Sequence, residues 1–239
     1  YHINYLSHQF EPDNKSAGSN LYLQKGVTVH TPKSSSGVSI GFRGETSIAT
    51  HHRPELNFAT NQDFTFSFFV KLPVSQSVVT STTNTIISKK GTIRKQVFGT
   101  LPHMNSNGQM ISTKYQSSSI VNESTDIYPY HFEVYNQSAG TTNSGKLIFK
   151  RSDGQIIRSL TTTASIANNQ WQHITVTKSN RRLSLYVNSL LHRTGSETIN
   201  HPNNDHMLIF GAENIDYKYG LSGSLDEIRM YNYCATTAS

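Results

Sequence analysis

The chain of 239 residues is poor in cysteine, in charge and in long apolar runs, and each shortage excludes something. A single cysteine, Cys234, rules out a disulfide within the chain, so stability must come from a packed core. This is not a disulfide-stapled secreted module, although an exported bacterial protein needs no disulfide either. Charged residues make up only 15% of the chain, and the net charge of +6 is scattered. The densest basic runs are Lys89-Lys90, Lys150-Arg151 and Arg181-Arg182, which is not the clustered footprint of a nucleic-acid binder. No apolar stretch approaches 18 residues, so no transmembrane helix is expected. The numbering opens at Tyr1 without a basic-then-apolar leader, and any signal peptide is expected upstream.

Signatures of catalysis and of transition-metal binding are also missing. No Gly-x-Ser-x-Gly segment sits in the strand-turn-helix context of a nucleophile elbow. Eleven histidines are present, but no His-Glu-x-x-His or Cys-x-x-Cys spacing gathers them for zinc. His51 and His52 are adjacent and diverge on a strand, while His201 and His206 flank Pro202 in a loop. Calcium needs only loop oxygens. Two tracts offer them, Asp13, Asn14 and Asn20 in one and Asn203, Asn204 and Asp205 in the other, although loop Asn and Asp commonly serve as turn formers. No cofactor other than calcium is suggested.

What remains is a polar uncharged chain with 12 Tyr and 11 Phe, a mixture that suits strands and turns better than helices. Asp63 to Leu72 alternates cleanly: Phe64, Phe66, Phe68 and Val70 share one face, and Thr65, Ser67, Phe69 and Lys71 the other. Four large apolar groups on one side predict a central core strand. Asn169 to Asn188 predicts an antiparallel hairpin about Ser179-Asn180. Its Ile174, Val176, Leu183, Leu185 and Val187 are buried on one face, and His173, Thr175, Thr177, Ser184, Tyr186 and Asn188 lie on the other. Lys146–Lys150 and Gln155–Arg158 flank an Asp-Gly turn and predict a second hairpin. Short strands are expected at Leu21–Leu23, Val27–Val29, Val38–Phe42, Ser47–Thr50, Ile86–Lys89, Met207–Gly211 and along the closing stretch. Two or three more, with long loops, are expected between Gly91 and Gly145. Strands continue on both sides of that irregular region. The expectation is therefore one domain over residues 1–239, an all-β, two-sheet antiparallel sandwich of jelly-roll type.

Five segments then carry a resemblance: Phe64–Lys71, Ile86–Lys89, Trp171–Val176, Leu185–Asn188 and Leu221–Asn232. Their order and spacing are similar to those of a laminin-G-like module of the concanavalin A-like lectin and glucanase superfamily, over roughly residues 37–233. The Tyr5–Phe10 opening also resembles modules in surface lipoproteins of glycan-foraging bacteria. The resemblance implies a jelly roll in a superfamily that often binds carbohydrate and sometimes calcium. It also implies an exported, extracellular or cell-surface protein with neighbouring domains, serving glycan utilisation, with a lipoprotein anchor as one form of attachment. Two departures stand out. Asn188-Ser189 replaces the family's Asp-Gly, so that turn is expected to differ. The Glu-x-Asp-x-x-Glu strand of the superfamily's glycosidases is absent, and Asp226-Glu227, being adjacent, are expected on opposite faces, so no retaining carboxylate pair is expected.

The function these features predict is a non-catalytic carbohydrate-binding, lectin-like module whose partner is a glycan or glycoprotein. A protein-interaction (adhesion) module and a glycoside hydrolase with an unfamiliar site are the alternatives. Sugar contacts are expected from an aromatic ring beside hydrogen-bonding groups. Three clusters offer that combination: His173, Tyr186 and Asn188 on the hairpin; Asn214, Asp216, Tyr217 and Tyr219 in a loop; and Tyr128 and Tyr130, beside His131, in the middle region.

Overall fold

The computed structural model describes residues 21–23, 28–30 and 39–235, apart from 59–60, 75–81, 95–97, 117–123, 137–141, 201 and 215–218. Asp13, Asn14, Asn20, Asp216 and Tyr217 lie outside the described residues. In chain order the strands are β1 (Leu21–Leu23), β2 (Thr28–His30), β3 (Ser39–Arg43), β4 (Ile48–Thr50), β5 (Phe64–Lys71) and β6 (Thr83–Ser88). There follow β7 (Gly91–Arg94), β8 (Phe98–Met104), β9 (Met110–Gln116), β10 (Ser124–Tyr135), β11 (Leu147–Asp153) and β12 (Ile157–Thr161). The last five are β13 (Trp171–Ser179), β14 (Arg182–Val187), β15 (Leu190–Ser196), β16 (Leu208–Phe210) and β17 (Ser222–Tyr231). The only helical element among the described residues is one 3-10 turn, Pro54–Leu56, with proline at its first position, where a missing N–H costs nothing.

Seven strands form one antiparallel sheet in the order β15-β14-β13-β5-β17-β3-β2. The opposing sheet runs β1-β4-β16-β6-β10-β11-β12, with β7 paired to β10, and β8-β9 form a separate ribbon. Among its described residues the middle region holds four strands, β7 to β10, where two or three were expected. The predicted core strand β5 is central, with β13 on one side and β17 on the other. Its Phe64, Phe66, Phe68 and Val70 are fully buried and meet Tyr130, Phe132 and Phe149 of the facing sheet. Phe66 alone has Tyr130 at 4.5 Å and Phe132 at 5.3 Å between ring centroids. Alternation on β5, β13 and β14 thus places one face in the core and leaves Thr65, Ser67, His173, Thr175, Thr177, Ser184 and Tyr186 on the other.

Trp171 pairs with Lys71 in register with the outer residues, where the sole tryptophan is half-buried. Two local readings change. The Asn188-Ser189 turn keeps the tight geometry: φ is +50° and +67°, the left-handed pair that a two-residue hairpin loop demands. Asn188 meets that demand with its side chain, accepting the His173 N–H and donating to Gln172. Asp226 and Glu227 do not simply alternate, because β17 bulges there. Asp226 faces Phe69, the next paired residue is Arg229 facing Ser67, and Glu227 has φ +46° and pairs with Arg229.

Two charged side chains, Arg151 and Lys89, have no exposed surface at all. The Arg151 guanidinium, between the sheets, donates to Glu197 at 2.6 Å and to the Phe58 carbonyl, and lies 4.9 Å from the Phe64 ring centroid. Burial lowers the Arg151 pKa and raises that of Glu197, while each partner's charge opposes the shift. Lys89, the second, belongs with the loop described below.

A hydroxyl-lined groove on the seven-stranded sheet

The outer face of β5, β13 and β14 is the floor of a groove of about 560 Å³. Cross-strand register builds it in rows. Thr65, Thr177 and Ser184 lie side by side, as do Ser67, Thr175 and Tyr186 in the next row. Short hydroxyl side chains every second residue keep the floor low. Tyr186 rises at one side and Tyr231, the register partner of Thr65, at the other. Arg182 is the one charged side chain in the lining; it forms no ion pair among the described residues, and no carboxylate lines the groove. The segment after β17 closes one end. The Thr65 hydroxyl donates to the Tyr233 carbonyl and accepts from the Ala235 N–H at 2.7 Å, which brings Cys234 and Ala235 into the wall.

His173 is the one imidazole on this floor. Its Nε2 lies 2.8 Å from Ser67 Oγ, and its ring stacks on Phe69 with centroids 4.5 Å apart. A serine beside a histidine invites comparison with an acyl-transfer site, but the surroundings differ. Ser67 lies inside a strand paired on both sides, not at a sharp strand-to-helix turn, so the exposed nucleophile and oxyanion donors of such a site are not assembled there.

The predicted clusters separate. His173 and Tyr186 line the groove, whereas Asn188 is spent on its own turn. Tyr130 is a correction. It is wholly buried among the core aromatics and its hydroxyl donates to the Leu56 carbonyl, so it cannot reach a ligand. Pro129 explains the division, because it has no N–H to give the ladder. A bulge between Tyr128 and His131 puts those two rings together, 5.5 Å apart, while Tyr130 keeps the core-facing phase of Phe132 and Val134. Tyr128 is nonetheless buried, and its hydroxyl pKa rises to about 12, first through burial and then through the Glu133 carboxylate. Near it Glu133 binds His131 and Lys150, and Lys90 bridges Asp126 and Glu213, so the charges of this cluster are paired with one another, although the buried His131 Nδ1 has no partner among the described residues. Asn214 and Tyr219 lie on the loop after β16, where the Tyr219 carbonyl accepts from Thr85.

The Asn203–Asp205 loop does gather oxygens, but around an internal cation. The Lys89 ammonium, fully buried, donates to Asn204 O, Asn204 Oδ1 and His206 O at 2.9–3.0 Å, with His52 Nδ1 at 3.3 Å. Asn203 and Asp205 themselves are exposed. A calcium ion does not fit that cradle while the ammonium holds it. Burial lowers the Lys89 pKa to about 8 against the pull of Asp205. Among the described residues no three His, Cys, Asp or Glu side chains converge.

Sequence reasoning missed Thr65, Ser67, Arg182 and Tyr231 as groove residues. The alternation of β5 already put the first two opposite the phenylalanines, but nothing local says that His173 lies beside them.

Residues 42–239 match the family model described as the concanavalin A-like lectin/glucanases superfamily. No curated protein matches the chain in sequence. Among solved structures, the binding domain of paraclostridial mosquitocidal protein 1 is similar at TM-score 0.60 and 18% identity, covering 92% of this chain and 45% of that one. The botulinum neurotoxin serotype G binding domain is similar at TM-score 0.59 and 12% identity, covering 94% and 45%. The serotype D ligand-binding domain, solved with N-acetylneuraminic acid, is similar at TM-score 0.56 and 15% identity, covering 92% and 44%. At such identities the likeness is one of fold, and the chain spans less than half of each of these structures.

Proposed function

We propose, from the premise that the chain belongs to the concanavalin A-like lectin/glucanase superfamily, that the groove on the seven-stranded sheet is a glycan-binding site without catalytic activity. The observation that carries this reading is the floor itself. Rows of Ser and Thr hydroxyls, with one imidazole, lie between Tyr186 and Tyr231. A pyranose offers hydroxyls at its rim and C–H groups on its faces. Such a floor matches the rim with small donors and acceptors, and the tyrosine rings match the faces. The absence of carboxylates from the lining speaks against retaining or inverting glycoside hydrolysis, which needs two of them across the scissile bond. The serotype D structure carrying N-acetylneuraminic acid supports the reading by analogy of fold alone.

The test is a glycan array probed with the wild-type protein and with His173→Ala and Tyr186→Ala, each with calcium and with chelator. Binding lost in both variants while their melting temperatures hold supports the groove. Binding retained in both places the ligand elsewhere, and no binding to any glycan by the folded wild type removes the proposal. Release of reducing sugar from a polysaccharide panel would return the hydrolase alternative.

A further inference from the structure

Tyr231 lines not one cavity but two. Beyond the hydroxyl-floored groove, a second cavity of about 430 Å³ opens among Glu55, Asn57, Gln62, Met230, Tyr231 and Asn232. Each volume lies in the range that takes a small-molecule ligand by itself. Tyr231, which both share, belongs to an aromatic pair: the Tyr231 and Tyr233 rings lie 5.3 Å apart at 49°, and Tyr233 is 54% exposed. The segment is fixed: Thr65 Oγ1 bonds the Tyr233 carbonyl and the Ala235 N–H, which anchors Tyr233 beside Tyr231.

We infer that the ligand is an extended oligosaccharide that occupies both cavities and crosses the Tyr231–Tyr233 platform between them, rather than a single terminal sugar held in the groove. This rests on the glycan reading above. The first cavity supplies hydroxyls and His173, and the second supplies Asn232 and Glu55, both exposed, beside the buried Met230. A chain of linked rings presents C–H faces at regular intervals, so one unit in each cavity leaves an intervening unit against the platform. Affinity is then set by chain length. Short ligands engage the groove alone, and longer ones add the platform and the second cavity.

The test is calorimetric titration of the intact chain with cello-, chito- and hyaluronan oligosaccharides of increasing length, from disaccharide to octasaccharide. The inference expects affinity to climb steeply once the ligand is long enough to cross the platform, and then to level off. Tyr233→Ala is expected to reduce long-ligand affinity by roughly three- to tenfold, the worth of one aromatic contact. It should leave disaccharide affinity unchanged, and Asn232→Ala should act in the same direction. The exposed Val74→Ala, a control away from both cavities, should change neither. Length-independent binding, or an equal loss for short and long ligands in Tyr233→Ala, overturns this inference and leaves the glycan reading standing. Binding by none of the three series overturns this inference, and the glycan reading falls with it only if the glycan array also shows no binding.

Discussion

Ser67 and His173, 106 residues apart in the chain, sit on adjacent strands with Oγ and Nε2 at 2.8 Å, and the imidazole is stacked on Phe69. The ring is therefore held at one nitrogen and on one face. A side chain already fixed loses little conformational entropy when a ligand arrives.

Ser67→Ala tests that arrangement. It removes the partner of Nε2 at a half-buried position and should cost the fold about 1 kcal/mol, the net worth of a neutral hydrogen bond. Ligand affinity should fall by more than stability does, because the imidazole is no longer oriented. Thermal melts paired with glycan titration separate the two, and an affinity unchanged beside a lowered melting temperature would make the pair purely structural.

Acid should destabilise the protein through Glu133. Burial pushes its carboxyl up, but hydrogen bonds and charge from His131 and Lys150 outweigh burial and hold it down at about 2. A carboxylate depressed from 4.5 contributes stability that is complete above pH 4.5 and is lost as pH falls toward 2. The shift corresponds to about 3 kcal/mol. Glu133→Gln should be less stable at pH 7 and should flatten the stability profile between pH 4.5 and 2, as read by denaturant unfolding.

Lys89 gives the same sign of pH dependence in an alkaline window. With its folded pKa lowered to about 8 by burial, the native state sheds the proton while the unfolded chain keeps it up to 10.5. The unfolded state then binds more protons, so stability rises with pH between about 8 and 10.5. Lys89→Met should abolish that rise. At neutral pH it should still cost about 1–3 kcal/mol, because Asn204 Oδ1 and the Asn204 and His206 carbonyls lose their shared donor. Urea midpoints taken across that pH range check both outcomes.

The Arg151–Glu197 pair should behave asymmetrically. Glu197→Gln leaves a guanidinium buried between the sheets without its counter-charge and is expected to cost about 3–5 kcal/mol. Replacing both, as Arg151→Met with Glu197→Leu, should recover most of that loss, since buried Arg151 Nε and Glu197 Oε1 have no hydrogen-bond partner among the described residues. A double variant as unstable as the single one would show that the pair is worth more than apolar packing.

Local pattern in the chain was enough to determine which side of each long strand is buried. Period-two alternation placed Phe64, Phe66, Phe68, Ile174, Val176, Leu183 and Leu185 in the core, and the structure leaves them there. The hairpins about Ser179-Asn180 and Asp153-Gly154 followed from turn chemistry, and the family followed from the order of five segments. None of these features depends on contacts far away in the chain.

The groove does depend on such contacts, and only the tertiary structure decided it. That Thr65 and Ser67 face Thr177 and Thr175, and that Tyr231 stands over Thr65, is a matter of pairing register between strands more than 100 residues apart, which no local period encodes. The same holds where polar residues changed roles. Tyr128 was turned to the side of His131 by a bulge at Pro129, while Tyr130 followed Phe132 and Val134 into the core. Asn188 was consumed by its own turn, and the oxygens of the Asn203–Asp205 loop found a cation already in the chain in Lys89. A polar side chain's function is set by what is left unbonded around it after the sheets have paired, whereas an apolar residue's place is set by its own solvation.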